Sequence, residues 1–347
     1  MVLGLGSNTF DPSKDIGDLS GKVYVVTGGS AGIGIRVHLQ HVLLGADRSS
    51  GFGIVAHLLE HKPERIYLLG KKEEDQHIHE AEEALKQYGD TSRITSMQIE
   101  LEDLHQTAEV AQKLASDLTR LDALVLNAGL GVGVYNETKD GIDSHYQVNV
   151  LAQHHLMMTL LPVLIKTPES RVVFQSSEFH RINTGSVKFA DLAEINQDVG
   201  AANLYNRTKL GQVLLAKSMV THKQQSQLGL SPNAAPYFIS THPGGVSTDQ
   251  PKQAEEAYGT LGKIGVAATR PFMKDPTDEG CRPALFAATS EDVVKESLDG
   301  VYVIPDRKVT DVSSNAKDEG LQEQCLRLTE TLLAEKLGKL PYQTVYA

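Results

Sequence analysis

The sequence has few cysteines, no excess of positive charge and no long apolar run. Cys281 and Cys325 are its two cysteines, and their spacing matches no metal site. Such a low cysteine content is typical of a protein in a reducing compartment, so we expect both thiols to be structural. The formal net charge is −11 over 347 residues, which argues against a nucleic-acid-binding surface or a polybasic membrane anchor.

Targeting and membrane segments are also missing from the pattern. No stretch approaches the roughly 18 apolar residues of a transmembrane helix. The first residues, MVLGLGSNTFDPSKD, lack the basic region and the apolar core of a signal peptide. A cytoplasmic protein is therefore the default expectation.

The stretch TGGSAGIG at residues 27–34 follows an apolar, β-branched run at 23–26. This pattern predicts a buried strand that runs directly into a glycine-rich turn. Gly28, Gly32 and Gly34 suit a backbone that must turn tightly, approach a pyrophosphate and pack a helix against the strand, because a Cβ would obstruct each of these. The N-terminus of the next helix would then favour the phosphate charge.

Strands and helices alternate along the whole chain. Strands are predicted near 23–26, 65–69, 94–101, 121–126, 171–175, 237–241 and 300–304. Helices are predicted near 73–88, 104–118, 142–165, 203–224, 252–272, 277–289 and 318–337. The alternation indicates an α/β protein, a single-domain Rossmann fold with a doubly wound, parallel, seven-stranded sheet and helices on both faces. We expect a lead-in over 1–20 and one domain over 21–340, with functional loops at the carboxyl ends of the strands.

Residues 35–51 interrupt this pattern, because the glycine-rich turn should lead straight into a helix at 52–61. Joining Gly34 to Phe52 would give the uninterrupted junction GIGFGIVAHLLEH. We interpret the excess as a retained short intron or a gene-model error of the kind found in compact fungal genes. The alternative is a genuine surface insertion. In either case it lies beside the predicted pyrophosphate site.

Tyr205 and Lys209 form the pattern Y-x-x-x-K within a predicted helix. The i,i+4 spacing places both side chains on one face. A lysine ammonium beside a phenol favours the phenolate and so produces a proton donor and acceptor near neutral pH. By spacing alone, a surface pair is the alternative. Ser177, Asn149 and Asn127, however, fall at or near the carboxyl rim of the sheet.

Taken together, these motifs resemble the short-chain dehydrogenase/reductase family, in its TGxxxGxG and YxxxK branch. The resemblance covers about residues 20–337. It includes TGGSAGIG, the acidic residue after strand three, NAG, the asparagine of QVN, SS followed by YNRTK, and HPGGVST, all in the family's order. The long gap after the serine pair, with EFHR and FADL inside it, is most similar to retinol-dehydrogenase-like and WW-domain-oxidoreductase-like members.

The resemblance implies a role for each matching residue. Tyr205 would be the general acid or base, Lys209 would lower its pKa and hold the nicotinamide ribose, and Ser177 would hydrogen-bond the substrate oxygen. Ser176 is a less favoured candidate for that last role. Asn149 would support a water-linked proton relay through Lys209. Cofactor contacts are implied at Thr27, Gly28, Ser30, Gly32, Ile33, Gly34, Lys71, Glu100, Leu101, Asn127, Ala128, Gly129, Tyr205, Lys209, Pro243, Gly244, Val246 and Thr248.

The end of strand two bears on the choice of cofactor. An acidic residue there would bind the ribose 2′-hydroxyl of NAD, but this chain has Gly70-Lys71-Lys72. A lysine could pair with a 2′-phosphate, so NADP(H) is favoured over NAD(H); the alternative is that both lysines are solvated. Glu100-Leu101 stands where the family usually has Asp-Leu, and the longer carboxylate could still accept a hydrogen bond from the adenine.

Several features leave alternatives open. His57 and His61 match H-x-x-E-H, but no third ligand is evident and no metal site is expected. Residues 246–276 are predicted to form a substrate lid, whose apolar residues suggest a moderately apolar carbonyl or alcohol substrate. The helices near 142–165 and 203–224 could form a homodimer or simply pack on their own sheet. Besides the enzyme, the alternative is a non-catalytic cofactor-binding or interaction protein.

Overall fold

A single eight-stranded sheet organises the computed structural model, which describes residues 10–29, 50–71, 81–225, 227–228, 230–231, 234–245, 276–305 and 307–342. The strands are β1 Val23–Thr27, β2 Arg65–Gly70, β3 Ile94–Gln98, β4 Ala123–Leu126, β5 Arg171–Gln175, β6 Tyr237–Thr241, β7 Tyr302–Ile304 and β8 Lys308–Thr310. Their order is β3-β2-β1-β4-β5-β6-β7-β8. The predicted doubly wound fold is therefore confirmed, and β5 and β6 have the predicted bounds.

The sheet contains one strand more than predicted. β1 to β7 pair in parallel, whereas β8 pairs antiparallel with β7, with Val303 opposite Val309. β8 is only three residues long and two of them are exposed. Such a short edge strand carries no alternating apolar pattern, so its pairing comes from the hairpin with β7 rather than from local sequence.

Six helices of eight or more residues have bounds in the described part of the chain. They are α1 Ser50–Glu60, α2 Leu104–Asp117, α3 Ser144–Lys166, α4 Ala201–Gln224, α5 Arg282–Thr289 and α6 Glu319–Leu337. Of the predicted helix at 73–88, residues 81–88 are described; 81–85 are helical and 86–88 form a turn. The predicted helix at 252–272 and the segment 35–49 lie outside the described residues.

Two apolar clusters cover the two faces of the sheet. Val23 and Val25 of β1 belong to one cluster, and Tyr24 and Val26 belong to the other, because successive side chains of a strand point to opposite faces. Helices α2, α3, α4 and α6 pack on the first face, and α1 and α5 pack on the second. β1, β4, β5 and β6 are buried throughout, as expected for parallel strands covered on both sides.

Helix α3 is continuous but not regular. It contains a π-helical turn at Gln147–Leu151, with α-helical segments at Ser144–Tyr146 and Ala152–Lys166. By length and mean hydropathy, 1.4, it could cross a membrane, but 89% of its apolar window is buried inside the fold. It therefore behaves as a core helix here. Its π turn holds the side chain of Asn149 at the carboxyl rim of the sheet.

Candidate active site

The ends of β1 and β4 are joined by hydrogen bonds at the carboxyl rim. Thr27 is fully buried, and its Oγ1 accepts from the backbone N–H groups of Asn127 and Ala128, each at 3.0 Å. Asn127 donates its Nδ2 to the carbonyls of Thr27 and Gly28 at 3.1 and 3.3 Å. Sequence reasoning missed Gln153 of α3, whose Nε2 donates to the Ala128 carbonyl at 2.8 Å. Four of the predicted cofactor residues thus form one rigid junction.

Gly28 needs to be glycine at this junction. Its φ is +70°, and an added Cβ would lie 2.8 Å from the Ala128 Cα. Both the positive φ and the backbone contact exclude larger residues. The strand-to-turn role predicted for this glycine therefore agrees with its geometry.

The described part of the helix that packs against this turn starts at Ser50, beyond the sequence motif. Gly51, in the first turn of α1, is so close to the turn that an added Cβ would lie 2.4 Å from the Gly28 oxygen and 2.5 Å from Asn127 Nδ2. Close packing of helix on strand is the task of the last glycine in a dinucleotide-binding turn, and Gly51 performs it in this structure. Of the motif residues, Ser30, Gly32, Ile33 and Gly34 lie outside the described residues.

Asn149 holds the loop that follows β4. Its Oδ1 accepts from the Leu130 N–H at 2.7 Å, and its Nδ2 donates to the Leu130 carbonyl at 3.0 Å and to Thr208 Oγ1 at 2.9 Å. An added Cβ on Gly129 would lie 2.9 Å from Asn149 Oδ1. The side-chain amide is therefore fully engaged in structure, and the backbone carbonyl of Asn149 is the group that remains for a wider network.

Tyr205 and Lys209 lie on one buried face of α4, as predicted. They are 4% and 5% exposed, and Lys209 Nζ is 5.4 Å from the Tyr205 ring centroid. Nζ donates to the Gln175 carbonyl at 2.8 Å and to Gln212 Oε1 at 3.0 Å. Burial lowers the pKa of Lys209 from its ordinary value of 10.5 to about 7, because a desolvated ammonium is less stable than the neutral amine.

The two serines after β5 have different surroundings. Ser176 donates its hydroxyl to the Lys209 carbonyl at 2.8 Å, so it braces α4 and is committed to structure. Ser177 begins a 3₁₀ turn, and its Oγ accepts from the Phe179 N–H at 3.3 Å. The Phe179 ring in turn meets the Tyr205 ring edge-on, with 5.7 Å between centroids. Ser177, Phe179 and Tyr205 are thereby brought to one place.

Two further residues of this site were not predicted. Gln212 is 1% exposed and follows Lys209 by three positions, a spacing that puts both on one helix face. His180 supports Ser177, because its Nδ1 lies 2.7 Å from the Ser177 carbonyl and its Nε2 accepts from the Ser313 N–H at 3.2 Å. Burial lowers the pKa of His180 to about 4, so this imidazole is neutral and structural near neutral pH.

The residues proposed for the adenosine side form an ion-pair cluster. Lys71 Nζ lies 2.6 Å from Glu102 Oε2 and 3.6 Å from Glu100 Oε1. Glu100 also accepts from the Glu102 N–H at 3.2 Å. Leu101 is buried and its carbonyl accepts from Gln147 at 3.4 Å. A 2′-phosphate at Lys71 would therefore meet a lysine that already has two carboxylate neighbours.

The loop after β6 is described only as far as Gly245. Gly244 has a φ of +89°, and an added Cβ would lie 2.8 Å from Pro305 Cγ, so this position also requires glycine. Pro243 precedes it and is partly buried. Val246, Thr248 and nearly all of the predicted lid lie outside the described residues, and the apolar character of the substrate stays a prediction.

The remaining predictions have simple outcomes. Cys281 and Cys325 are both buried thiols that form no disulfide, as expected of structural thiols. His57 pairs with Glu60 at 3.0 Å. No group of three metal-binding side chains occurs among the residues that the structure describes. The faces of α3 and α4 considered for a dimer are largely buried within the chain itself.

Comparison with known proteins agrees with this geometry. The profile of the short chain dehydrogenase family matches residues 22–188. The Neurospora crassa oxidoreductase bli-4, described by its name as mitochondrial, is 32% identical over 343 residues, which cover 96% of this chain and 76% of that protein. The chain belongs to the short-chain dehydrogenase family. Its members are oxidoreductases that bind NAD(P).

A relative of lower identity and a solved structure are also similar to this chain. The human WW domain-containing oxidoreductase is 26% identical over 92% of this chain and 70% of the length of that protein. Among solved structures, the RhlG/NADP active-site complex of Pseudomonas aeruginosa superposes with a TM-score of 0.57 and 19% identity, over 83% of this chain and 96% of that one. The latter similarity concerns the fold alone.

Two features of the described residues suit an NAD(P) cofactor at the carboxyl rim of the sheet. Gly28 and Gly129 present backbone without side chains at the rim, where a Cβ on either would collide with its neighbour. Lys209 adds a buried ammonium whose two described hydrogen-bond partners are both neutral. A rim of backbone without side chains and a buried lysine amine without a carboxylate partner among its described hydrogen bonds suit an anionic dinucleotide.

Proposed function

We propose that this protein is an NADP(H)-dependent oxidoreductase that interconverts a ketone or aldehyde and an alcohol. The observation that carries the proposal is the buried Tyr205–Lys209 pair, whose tyrosine ring contacts Phe179, a residue hydrogen-bonded to Ser177. A structural helix face has no need for a lysine that is 5% exposed and has no carboxylate among its described hydrogen-bond partners, because burial of an unpaired ammonium is costly. Such a group is better explained by chemistry at the site.

The roles follow from the positions of the groups. Bound NADP(H) would supply or accept the hydride. The Tyr205 hydroxyl would give a proton to the carbonyl oxygen in reduction and take one from the alcohol in oxidation. The Lys209 ammonium would favour the phenolate form of Tyr205. Ser177 would donate its hydroxyl to the substrate oxygen, while His180 and the Phe179 N–H keep that serine oriented.

Three features support NADP(H) rather than NAD(H). Lys71 directly follows β2, where the ribose 2′ position is read in this fold. Neither Gly70 nor Lys71, the residues at the end of β2, carries a carboxylate. Three solved structures with a similar fold are complexes with NADP or NADPH. The carboxylates of Glu100 and Glu102 reduce the net charge available to a phosphate at Lys71, so the preference would be moderate rather than absolute.

Tyr205→Phe tests the catalytic assignment. We expect NADPH still to bind, measured by cofactor fluorescence, because the other implied cofactor contacts remain. Turnover on a panel of ketones and aldehydes should fall by a factor of about 100 or more, as for loss of a general acid. Ser176→Ala is the matched control and should keep its activity. Retention of activity in Tyr205→Phe would remove the proposal's central residue.

A non-catalytic cofactor-binding or interaction protein is the second candidate, and the extra residues at 35–51 favour it. A chain lacking 35–51 joins Gly34 to Phe52 and so keeps a glycine at the helix position that Gly51 occupies here. Parallel NADPH titrations of both chains distinguish the cases. Binding by the shortened chain alone favours the non-catalytic reading of the full chain. Equal binding with turnover by both chains excludes that reading.

A further inference from the structure

Gln212 connects two parts of the site that the family resemblance links through water. Its Oε1 accepts from Lys209 Nζ at 3.0 Å, and its Nε2 donates to the Asn149 carbonyl at 3.1 Å. The side chain is 1% exposed, so both ends of the amide are used inside the protein. A water-linked relay from Lys209 to Asn149 would need the space that this amide occupies.

The local structure explains why the bridge forms. Asn149 lies in the π-helical turn Gln147–Leu151, and such turns are frequent at functional sites because they disturb the regular carbonyl pattern. The side-chain amide of Asn149 is already engaged with Leu130 and Thr208. Its backbone carbonyl is therefore the acceptor that Gln212 can reach from the facing helix α4.

We infer that Gln212 is a positioning residue that fixes the Lys209 ammonium and replaces water between Lys209 and Asn149. A carboxamide accepts and donates hydrogen bonds through different atoms, but it does not readily pass a proton from one to the other. The proton taken up or released by Tyr205 would then be exchanged by another route than the Asn149 carbonyl. The effect of Gln212 on proton exchange rests on the proposed function, whereas the hydrogen-bonded bridge is observed independently of it.

The bridge has an electrostatic consequence for Lys209. An acceptor dipole within hydrogen-bond distance favours the charged amine, so Gln212 and the Gln175 carbonyl both oppose the burial that lowers the pKa of Lys209 to about 7. The titratable groups that interact with the Lys209 amine are Tyr205 on the same helix and His242 after β6. Burial lowers the pKa of His242 to about 3, so His242 stays neutral across the useful range.

Two substitutions with opposite effects test the inference. Gln212→Leu keeps much of the volume but removes the acceptor, and Gln212→Glu places a carboxylate beside Nζ. We expect the basic limb of the pH profile of kcat/KM to lie about one pH unit lower in Gln212→Leu, because the ammonium loses an acceptor. It should lie about one pH unit higher in Gln212→Glu, because the ammonium gains a carboxylate. A purely structural glutamine would lower the melting temperature in both without moving the limb.

A second readout needs neither cofactor nor turnover. The stability of the apo protein, measured by urea denaturation, should begin to rise with pH at a lower value in Gln212→Leu and at a higher value in Gln212→Glu. Both shifts should vanish in a Lys209→Met background, as a double-mutant cycle requires. Unshifted stability profiles would overturn the inference. If the two variants show shifted stability profiles but the wild-type protein shows no turnover, the proposed function is refuted and the inference about Gln212 is not.

Discussion

Lys209→Met should stabilise the apo protein near neutral pH while it abolishes turnover. Lys209 is 5% exposed, and burial lowers its pKa from 10.5 to about 7. Each pKa unit corresponds to about 1.4 kcal/mol, so the charged side chain destabilises the folded state by roughly 5 kcal/mol when it is fully protonated. Methionine has a similar length and carries no charge to desolvate.

Part of that gain is lost again. Without the ammonium, the carbonyl of Gln175 and Oε1 of Gln212 lose their donor, and each unsatisfied acceptor costs about 1–2 kcal/mol. A net increase of about 2 kcal/mol in the free energy of unfolding is expected at pH 6. The variant would thus be more stable than the wild type because it lacks a group required for function.

The pH dependence gives the prediction its sign. The folded pKa of Lys209 lies below its unfolded value, so the folded state releases its proton first as pH rises. Wild-type stability should therefore increase between about pH 7 and pH 10.5, where the unfolded chain binds more protons. The advantage of Lys209→Met is full below pH 7 and shrinks as pH approaches 10.

Urea denaturation followed by circular dichroism at pH 6, 7, 8 and 9 is the assay. Lys217→Met, on the same helix, is the matched control, because Lys217 is only partly buried and donates to the Gly300 carbonyl at 3.4 Å. The control should change stability little. A Lys209→Met protein that is less stable than wild type at pH 6, or whose advantage is the same at pH 6 and pH 9, would refute the reasoning.

Two further substitutions examine the cofactor side. Gly51→Ala should lower the free energy of unfolding by about 1–3 kcal/mol, measured in thermal melts. The added Cβ would lie only 2.4 Å from the Gly28 oxygen and 2.5 Å from Asn127 Nδ2. Gly17→Ala is the control and should be near neutral in the same melts, because the space around Gly17 is open. Lys71→Met should weaken NADPH binding about tenfold relative to NADH, as loss of one charged contact implies; an unchanged ratio would assign Lys71 to its ion pair with Glu102 alone.

Local pattern was sufficient for much of the fold. The apolar runs at β5 and β6 predicted both strands with their observed bounds, since buried parallel strands are short, continuous and apolar. The i,i+4 spacing of Tyr205 and Lys209 placed both side chains on one face of α4, because helix geometry alone determines that spacing. The order of the motifs along the chain was enough to predict the family.

Contacts between distant residues decided the rest. The approach of Gly51 in α1 to the Gly28 backbone is one such contact, which local sequence did not indicate. Local sequence also did not indicate that Glu102, 31 residues away, lies 2.6 Å from the Lys71 amine. β8 forms because it pairs antiparallel with the edge of β7.

Gln212 shows the division most clearly. By sequence alone it is one polar residue in a helix, with nothing to distinguish it from a solvated side chain. The tertiary structure buries it between α4 and the π turn of α3, where it contacts Lys209 and the Asn149 carbonyl, 63 residues away. Residue identity and spacing therefore determined which chemistry the chain can perform. Only packing decided which groups hold that chemistry in place, because a hydrogen bond depends on positions in space that local sequence does not encode.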